Sequence, residues 1–306
     1  MKKIKLGGTN ILVPSVIVGC MRLGDLNSTE LNSFIHLALE RGCNFFDHAD
    51  IYANGYCEEL FGDAVSGDNS IKRENLILQS KCGICNGYYD LSKEHILSSV
   101  DKILQRLKTD YLDILLLHRP DALVEPEEVA EAFDLLQTSG KVRLFGVSNH
   151  NSGQIELLQK HLKQNLIINQ LQLSIAVSGL ISQGLEVNME TSGAINRDGS
   201  VLDYCRNKNI TIQAWSPFQM PSWQGCFIGN PKYEALNNVL RELSLKYGTT
   251  PTGIAGAWIL RHPAGIQLIT GTKNPERLKE ITDAAGISLS REDWYRIYLS
   301  AGHILP

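Results

Sequence analysis

The sequence predicts an α/β fold, a (β/α)8 TIM barrel preceded by an N-terminal β-hairpin. Eight short apolar runs are each followed by a longer stretch, most with apolar residues at helical spacing. That alternation argues for parallel strands joined by crossover helices. Nearly every run also ends in a polar, ionisable or aromatic residue, and parallel strands in a barrel bring those ends to one face. The 306 residues, 43% of them hydrophobic, are enough for such a core, although length alone fits two smaller domains as well. No linker, repeat or low-complexity tract divides the chain, so residues 1–306 read as a single domain.

Lys3 to Leu6 and Ile11 to Pro14, joined through Gly7, Gly8 and Asn10, read as the hairpin. Val16 to Gly19 is the first barrel strand. Its helix opens at Ser28 or Thr29, with Leu31, Phe34, Ile35, Ala38 and Leu39 on one face. Asn44 to Asp47 is the second strand, with a helix from about Cys57 to Val65. Asn75 to Ser80 is the third, and Ser92 caps a helix that runs to Leu107. Leu112 to Leu117 is the fourth, followed by a helix that starts at Pro126 and stops at Gly140. Val142 to Val147, Leu166 to Gln170, Ile210 to Trp215 and Gly265 to Ile269 complete the set. Two stretches break the rhythm, Ser174 to Ser200 and Pro217 to Pro231. Both fall on the carboxyl side of the strands, where long irregular segments usually serve function.

Composition narrows the partners. With 29 basic and 33 acidic residues the net charge is −4, and neither sign forms a block suited to nucleic acid or an anionic membrane. No signal-peptide run follows MKKIKLGGTN and no segment is long enough to span a bilayer. The expectation is a cytoplasmic protein with a small-molecule partner. Seven scattered cysteines fit reduced thiols better than a disulfide framework. Cys82 and Cys85 form a CxxC, but no second pair completes a zinc site, and the pair sits in a Gly-containing loop rather than at a helix start. His48 and Asp50 beside Asp47 look like metal ligands until one notes that adjacent side chains on a strand point apart. No GxGxxG follows a strand and no Walker loop is present.

The chemistry lies in FFDHADIY, which puts Asp47 and Tyr52 just beyond the second strand. The third strand delivers Lys81 and the fourth His118. A tyrosine, with an ordinary pKa of about 10, is a poor acid near neutrality. A neighbouring ammonium favours the phenolate and lowers that pKa, while a carboxylate keeps the ammonium charged and in place. Tyr52 can then deliver a proton to a carbonyl oxygen as hydride reaches the carbon, with His118 donating a hydrogen bond to the same oxygen.

At these residues the chain resembles the aldo-keto reductase superfamily, whose site is an Asp, Tyr, Lys and His in this order along a barrel. The resemblance runs from about Lys3 to Ser300 and is strongest in DHADIYANGYCEELFGDAV, LLHRPD and GKVRLFGVSN. It implies that the hairpin plugs the amino end of the barrel. It also implies reduction of an aldehyde or ketone with NADPH/NADP+ rather than NADH. By the same resemblance Asn149 and Gln170 hold the nicotinamide carboxamide, and Trp215 stacks on the ring where many members carry tyrosine. TGTKNPERLKE resembles the segment that grips the adenosine 2'-phosphate, with Arg277 matching its arginine and Glu280 an adenine contact. Gly271 stands where many members have lysine, and the neighbouring Lys273 is expected to compensate.

The residues themselves point the same way. Ser148, Asn149 and Gln170 suit a carboxamide, and Trp215, followed by Ser216, offers a flat face. Thr272, Lys273 and Arg277 surround the start of a helix, where backbone donors and the dipole favour an anion. Met21, Arg22, Leu23, Tyr88, Tyr89 and Trp223 are expected to line the substrate pocket. Two other readings stay open at this point. One is a nicotinamide-binding regulatory subunit with little turnover, and the other is an aldolase using Lys81 as a Schiff-base nucleophile.

Overall fold

The computed structural model describes residues 1–185, 200–221 and 224–303. Strands β1 (Lys3–Lys5) and β2 (Leu12–Pro14) pair antiparallel, with Lys3 opposite Pro14. A parallel barrel follows from β3 (Val16–Gly19), β4 (Phe45–Asp47), β5 (Ile77–Cys82), β6 (Leu112–Leu117), β7 (Val142–Ser148), β8 (Leu166–Gln172), β9 (Thr211–Trp215) and β10 (Gln267–Thr270). It closes where β10 pairs with β3, so the expected eight-stranded barrel is the one found.

Around it run α1 (Ser28–Glu40), α2 (Tyr56–Ser66), α3 (Lys93–Leu107), α4 (Pro126–Thr138), α5 (Ser152–Gln159) and α6 (Gly179–Leu185). The remainder are α7 (Ser200–Asn207), α8 (Glu234–Tyr247), α9 (Pro251–Leu260), α10 (Pro275–Ala284) and α11 (Arg291–Ser300). Helix α1 opens at Ser28, as expected, and is capped by Asn27, which with Glu30 forms a capping box in which each side chain satisfies the other's backbone amide. One expectation is corrected. The Ser174 to Ser200 stretch is not wholly irregular, since α6 forms within it and Ile181 packs into the core with Leu180 and Leu185 beside it. A helix of seven residues is too short for its periodicity to stand out in sequence. Residues 186–199 lie outside the described residues.

Alternation along the strands builds two cores. On β6, Leu115 and Leu117 face outward to the helices, while Ile114 and Leu116 point into the barrel. The interior cluster at the amino end joins Ile17, Phe45, Ile114, Leu116 and Ile168 to Leu6 and Val13 of the hairpin, all at most 1% exposed. The hairpin thus plugs the barrel floor, as the resemblance implied.

Above this apolar floor the interior turns polar. Gln79 on β5, Gln213 on β9 and Gln267 on β10 are fully buried and joined by their carboxamides. Gln267 donates to Pro14 O at 2.8 Å, Gln213 to Gln267 Oε1 at 3.0 Å, and Gln79 to Gln213 Oε1 at 2.8 Å. The chain of dipoles therefore rises from the plug to the level of Asp47, which is the register partner of Gln79.

Candidate active site

Three consecutive strands carry the ionisable groups. Asp47 ends β4, Lys81 lies near the end of β5, and His118 follows β6. Tyr52 reaches them from the turn after β4, in which Ala53 and Asn54 both take left-handed backbone angles. The Lys81 ammonium lies 2.8 and 2.9 Å from the two Asp47 oxygens. It also donates to His48 O at 2.7 Å and to the Tyr52 hydroxyl at 3.1 Å. The Tyr52 and His118 rings meet edge to face, with centroids 6.2 Å apart. The four residues named from these three strand ends therefore form one contiguous group.

The electrostatics corrects one expectation. Burial raises the Tyr52 phenol above its ordinary value, and Asp47 adds to the rise while Lys81 opposes it. Lys81 was expected to win, but its charge is neutralised within 3 Å by Asp47, so exclusion of water decides the direction. Tyr52 is thus a neutral phenol that keeps its proton at neutral pH. Burial alone would lower the Lys81 ammonium, yet Asp47 and Tyr52 outweigh it and leave the group above its usual value. A permanently charged lysine of this kind does not suit a Schiff-base nucleophile.

His118 is held down to about 2 by burial and then by the nearby cations Lys81 and Arg119, and its Nδ1 has no hydrogen-bond partner among the described residues. It is a neutral imidazole. His48, fully buried behind the site, is held down to about 3 by burial and then by Lys81. Both folded values lie below the ordinary 6.5, so each contributes stability above pH 6.5 that is lost as the pH falls toward the folded value. Nitrogen-15 NMR of the imidazoles is expected to show both rings neutral from pH 8 to pH 5. A midpoint near 6.5 at either position would contradict this.

Asp47 has partners that sequence reasoning missed. Gln79 donates to its Oδ1 at 2.6 Å and Gln170 at 3.2 Å, while Gln170 also reaches Gln213 Oε1 at 3.1 Å. The available signal was a lone glutamine in each of LILQSK and TIQAW, at the inward parity of a strand. Behind β5, Ser80 donates to the fully buried Glu58 at 2.6 Å and Arg106 Nε at 2.8 Å, tying α2 and α3 to the back of the group.

The group opens into a cavity of about 640 Å³ at the carboxyl face. Met21, Arg22, Asp47, Tyr52, His118, Ser148, Asn149, Gln170, Trp215 and Ser216 all line it, as do Gly271, Thr272, Lys273 and Arg277. Within it Ser148 Oγ donates to Gln170 O at 2.9 Å and Asn149 to Ser148 Oγ at 2.8 Å. The Trp215 indole donates to Asn149 Oδ1 at 3.2 Å, which ties the ring to the wall. The Arg277 guanidinium makes no hydrogen bond or ion pair among the described residues, so it is available to a phosphate. This donor set fits a nicotinamide dinucleotide. A second depression of about 820 Å³ at the floor of the barrel is lined by Gly8, Glu156, Tyr204 and Lys208, among others, and contains no residue of this group.

Other expectations fall away. Lys273 does not stand free for the lysine that Gly271 replaces, because its ammonium binds Asp25 at 2.9 Å. Glu280 sits one turn beyond Arg277 on α10 and is not on the cavity wall. Leu23 is buried, and Tyr88 and Tyr89 are exposed away from the lining. Trp223 lies outside the described residues. Cys82 is buried in β5 while Cys85 lies beyond it near His95, and both are free thiols.

Known proteins resemble the chain over nearly its whole length. Residues 15–298 match the Aldo/keto reductase family. The oxidoreductase YcsN of Bacillus subtilis, itself uncharacterised, is 36% identical over the full length of both chains. A 6-dehydroglucose reductase of Novosphingobium aromaticivorans is 32% identical over 99% of this chain and 96% of its own. An aldo/keto reductase from Klebsiella pneumoniae, solved in complex with NADP and acetate, superposes with a TM-score of 0.75 at 23% identity, over 97% of this chain and 94% of that one.

Proposed function

The chain belongs to the aldo/keto reductase family and is an oxidoreductase of that family, and from that premise we propose that it reduces an aldehyde or ketone with NADPH, Tyr52 acting as general acid. The observation that carries the reading is the Lys81 ammonium seated between Asp47 at 2.8 Å and Tyr52 at 3.1 Å, at the floor of the cavity. When bound, the nicotinamide supplies the hydride. Tyr52 holds the proton that the carbonyl oxygen takes up, and the neutral His118 donates a hydrogen bond that orients the same oxygen. Lys81 fixes the phenol and Asp47 fixes Lys81, while Gln79 holds Asp47 from below.

Ser148, Asn149 and Gln170 would take the carboxamide, with Trp215 against the ring. Thr272, Arg277 and the start of α10 would take a phosphate. The Arg277 guanidinium, without a partner among the described residues, supports NADPH over NADH, whereas the Asp25–Lys273 pair weakens the positive charge at the same end. One barrel domain over residues 1–306, a small carbonyl partner and a cytoplasmic setting complete the proposal. No helix among the described residues is long and apolar enough to cross a membrane.

Fluorescence titration with NADPH and NADH, then a panel of aldehydes and ketones, tests the reading. NADPH binding with carbonyl-dependent oxidation is the expected result. Binding without oxidation of any carbonyl points instead to a regulatory subunit.

A further inference from the structure

The cavity mouth has two cationic poles, and the proposed cofactor accounts for one. Around the barrel β10 and β3 are neighbours, whereas β6 is four strands from β10 and stands across the mouth. Lys273 and Arg277 follow β10 and Arg22 follows β3, so these three belong to the end at which phosphates would be gripped. Arg119 follows β6, directly after His118, and also lines the cavity.

Its neighbours offer the guanidinium no charge partner. The exits of β4 and β5 contribute Ile51 and Ile84 to the wall, both apolar. Asp47 is the one carboxylate among the lining residues, and Lys81 already holds it. Arg119 is half-buried and makes no hydrogen bond or ion pair among the described residues. Its planar fork matches a carboxylate or phosphate in two parallel hydrogen bonds.

We propose that Arg119 recognises an anionic substituent on the substrate, so that the enzyme selects carbonyl compounds carrying a carboxylate or phosphate. The proposal rests on the reductase reading above. Because Arg119 follows His118 in the chain, an anion on its guanidinium anchors the substrate beside the imidazole that orients the carbonyl. It would add the binding of a charge-assisted hydrogen bond to every substrate that carries the anion.

Steady-state kcat/KM with NADPH tests this with two pairs of aldehydes, 4-carboxybenzaldehyde against benzaldehyde and glyceraldehyde 3-phosphate against glyceraldehyde. Intrinsic reactivity cancels when the anionic-to-neutral ratio is compared between proteins. Arg119→Leu is expected to lower that ratio roughly 10- to 100-fold, with partial recovery in Arg119→Lys. A fall confined to one pair identifies the anion as carboxylate or as phosphate. A ratio that moves less than about twofold in both pairs overturns the proposal, and so does a loss of NADPH binding in Arg119→Leu, which would assign the guanidinium to the cofactor. If the wild type reduces none of the four and no ketone of the wider panel, the reductase reading itself fails. The subsite is then judged by calorimetry with benzoate, whose binding is expected in wild type and lost in Arg119→Leu; no binding to wild type overturns it.

Discussion

Tyr52→Phe is expected to reduce kcat for carbonyl reduction by about 10²- to 10⁴-fold while leaving the NADPH dissociation constant near its original value. The substitution removes one oxygen, and that oxygen accepts from Lys81 at 3.1 Å. The ring stays, so its edge-to-face contact with His118 and the shape of the cavity floor are kept. A loss of that size corresponds to roughly 3–5 kcal/mol of transition-state stabilisation. It should appear in kcat and kcat/KM alike, since the proton moves only as the carbonyl is reduced. Turnover within tenfold of wild type would remove Tyr52 from the role of acid.

Lys81→Met should damage both stability and activity. Lys81 is fully buried and Asp47 is 2% exposed, so the change strands a carboxylate away from water with only carboxamide donors. Breaking one side of a buried pair in this way costs about 3–5 kcal/mol. The urea midpoint should fall without a change in slope, because the same surface is exposed on unfolding. The Tyr52 hydroxyl would also lose its donor and face an uncompensated carboxylate, which raises the phenol further and lowers turnover. Adding Asp47→Asn to Lys81→Met removes the stranded charge, so the double variant should be more stable than the sum of the single losses. A Lys81→Met protein as stable as wild type would rule out a buried ion pair. The pH dependence has a definite sign. The folded lysine titrates above 10.5, so its contribution is complete below that pH and disappears as the pH rises through the folded value.

The barrel and its ionisable floor were legible because both rest on local signals. Asp47, Lys81 and His118 each end an apolar run, and a parallel barrel needs no further information to bring such ends together. What stayed hidden was pairing across sequence. Lys273 reads as a free cation until Asp25, 248 positions away, is seen to hold it. Gln79, Gln213 and Gln267 read as interruptions of apolar strands, since nothing local says that three carboxamides will meet inside a barrel. The direction of the Tyr52 shift was missed for a related reason. The sequence names the cation beside the phenol, but not how completely Asp47 cancels it or how little water remains. Arg119 reads in sequence as an ordinary loop cation, since nothing local shows that it lines the cavity without a partner among the described residues.

The order of strands around the mouth has a consequence for how substitutions combine. Proton-handling groups leave β4, β5 and β6, whereas the proposed cofactor contacts leave β7 to β10. Arg119 and Arg277 share no hydrogen-bond partner and follow strands on opposite sides of the ring, so changes at the two should be additive in free energy. Gln170 is the exception. It belongs to the cofactor wall yet donates to both Asp47 and Gln213. Epistasis between cofactor preference and acid catalysis should therefore concentrate at that one side chain, which makes it the position to hold fixed when either property is redesigned.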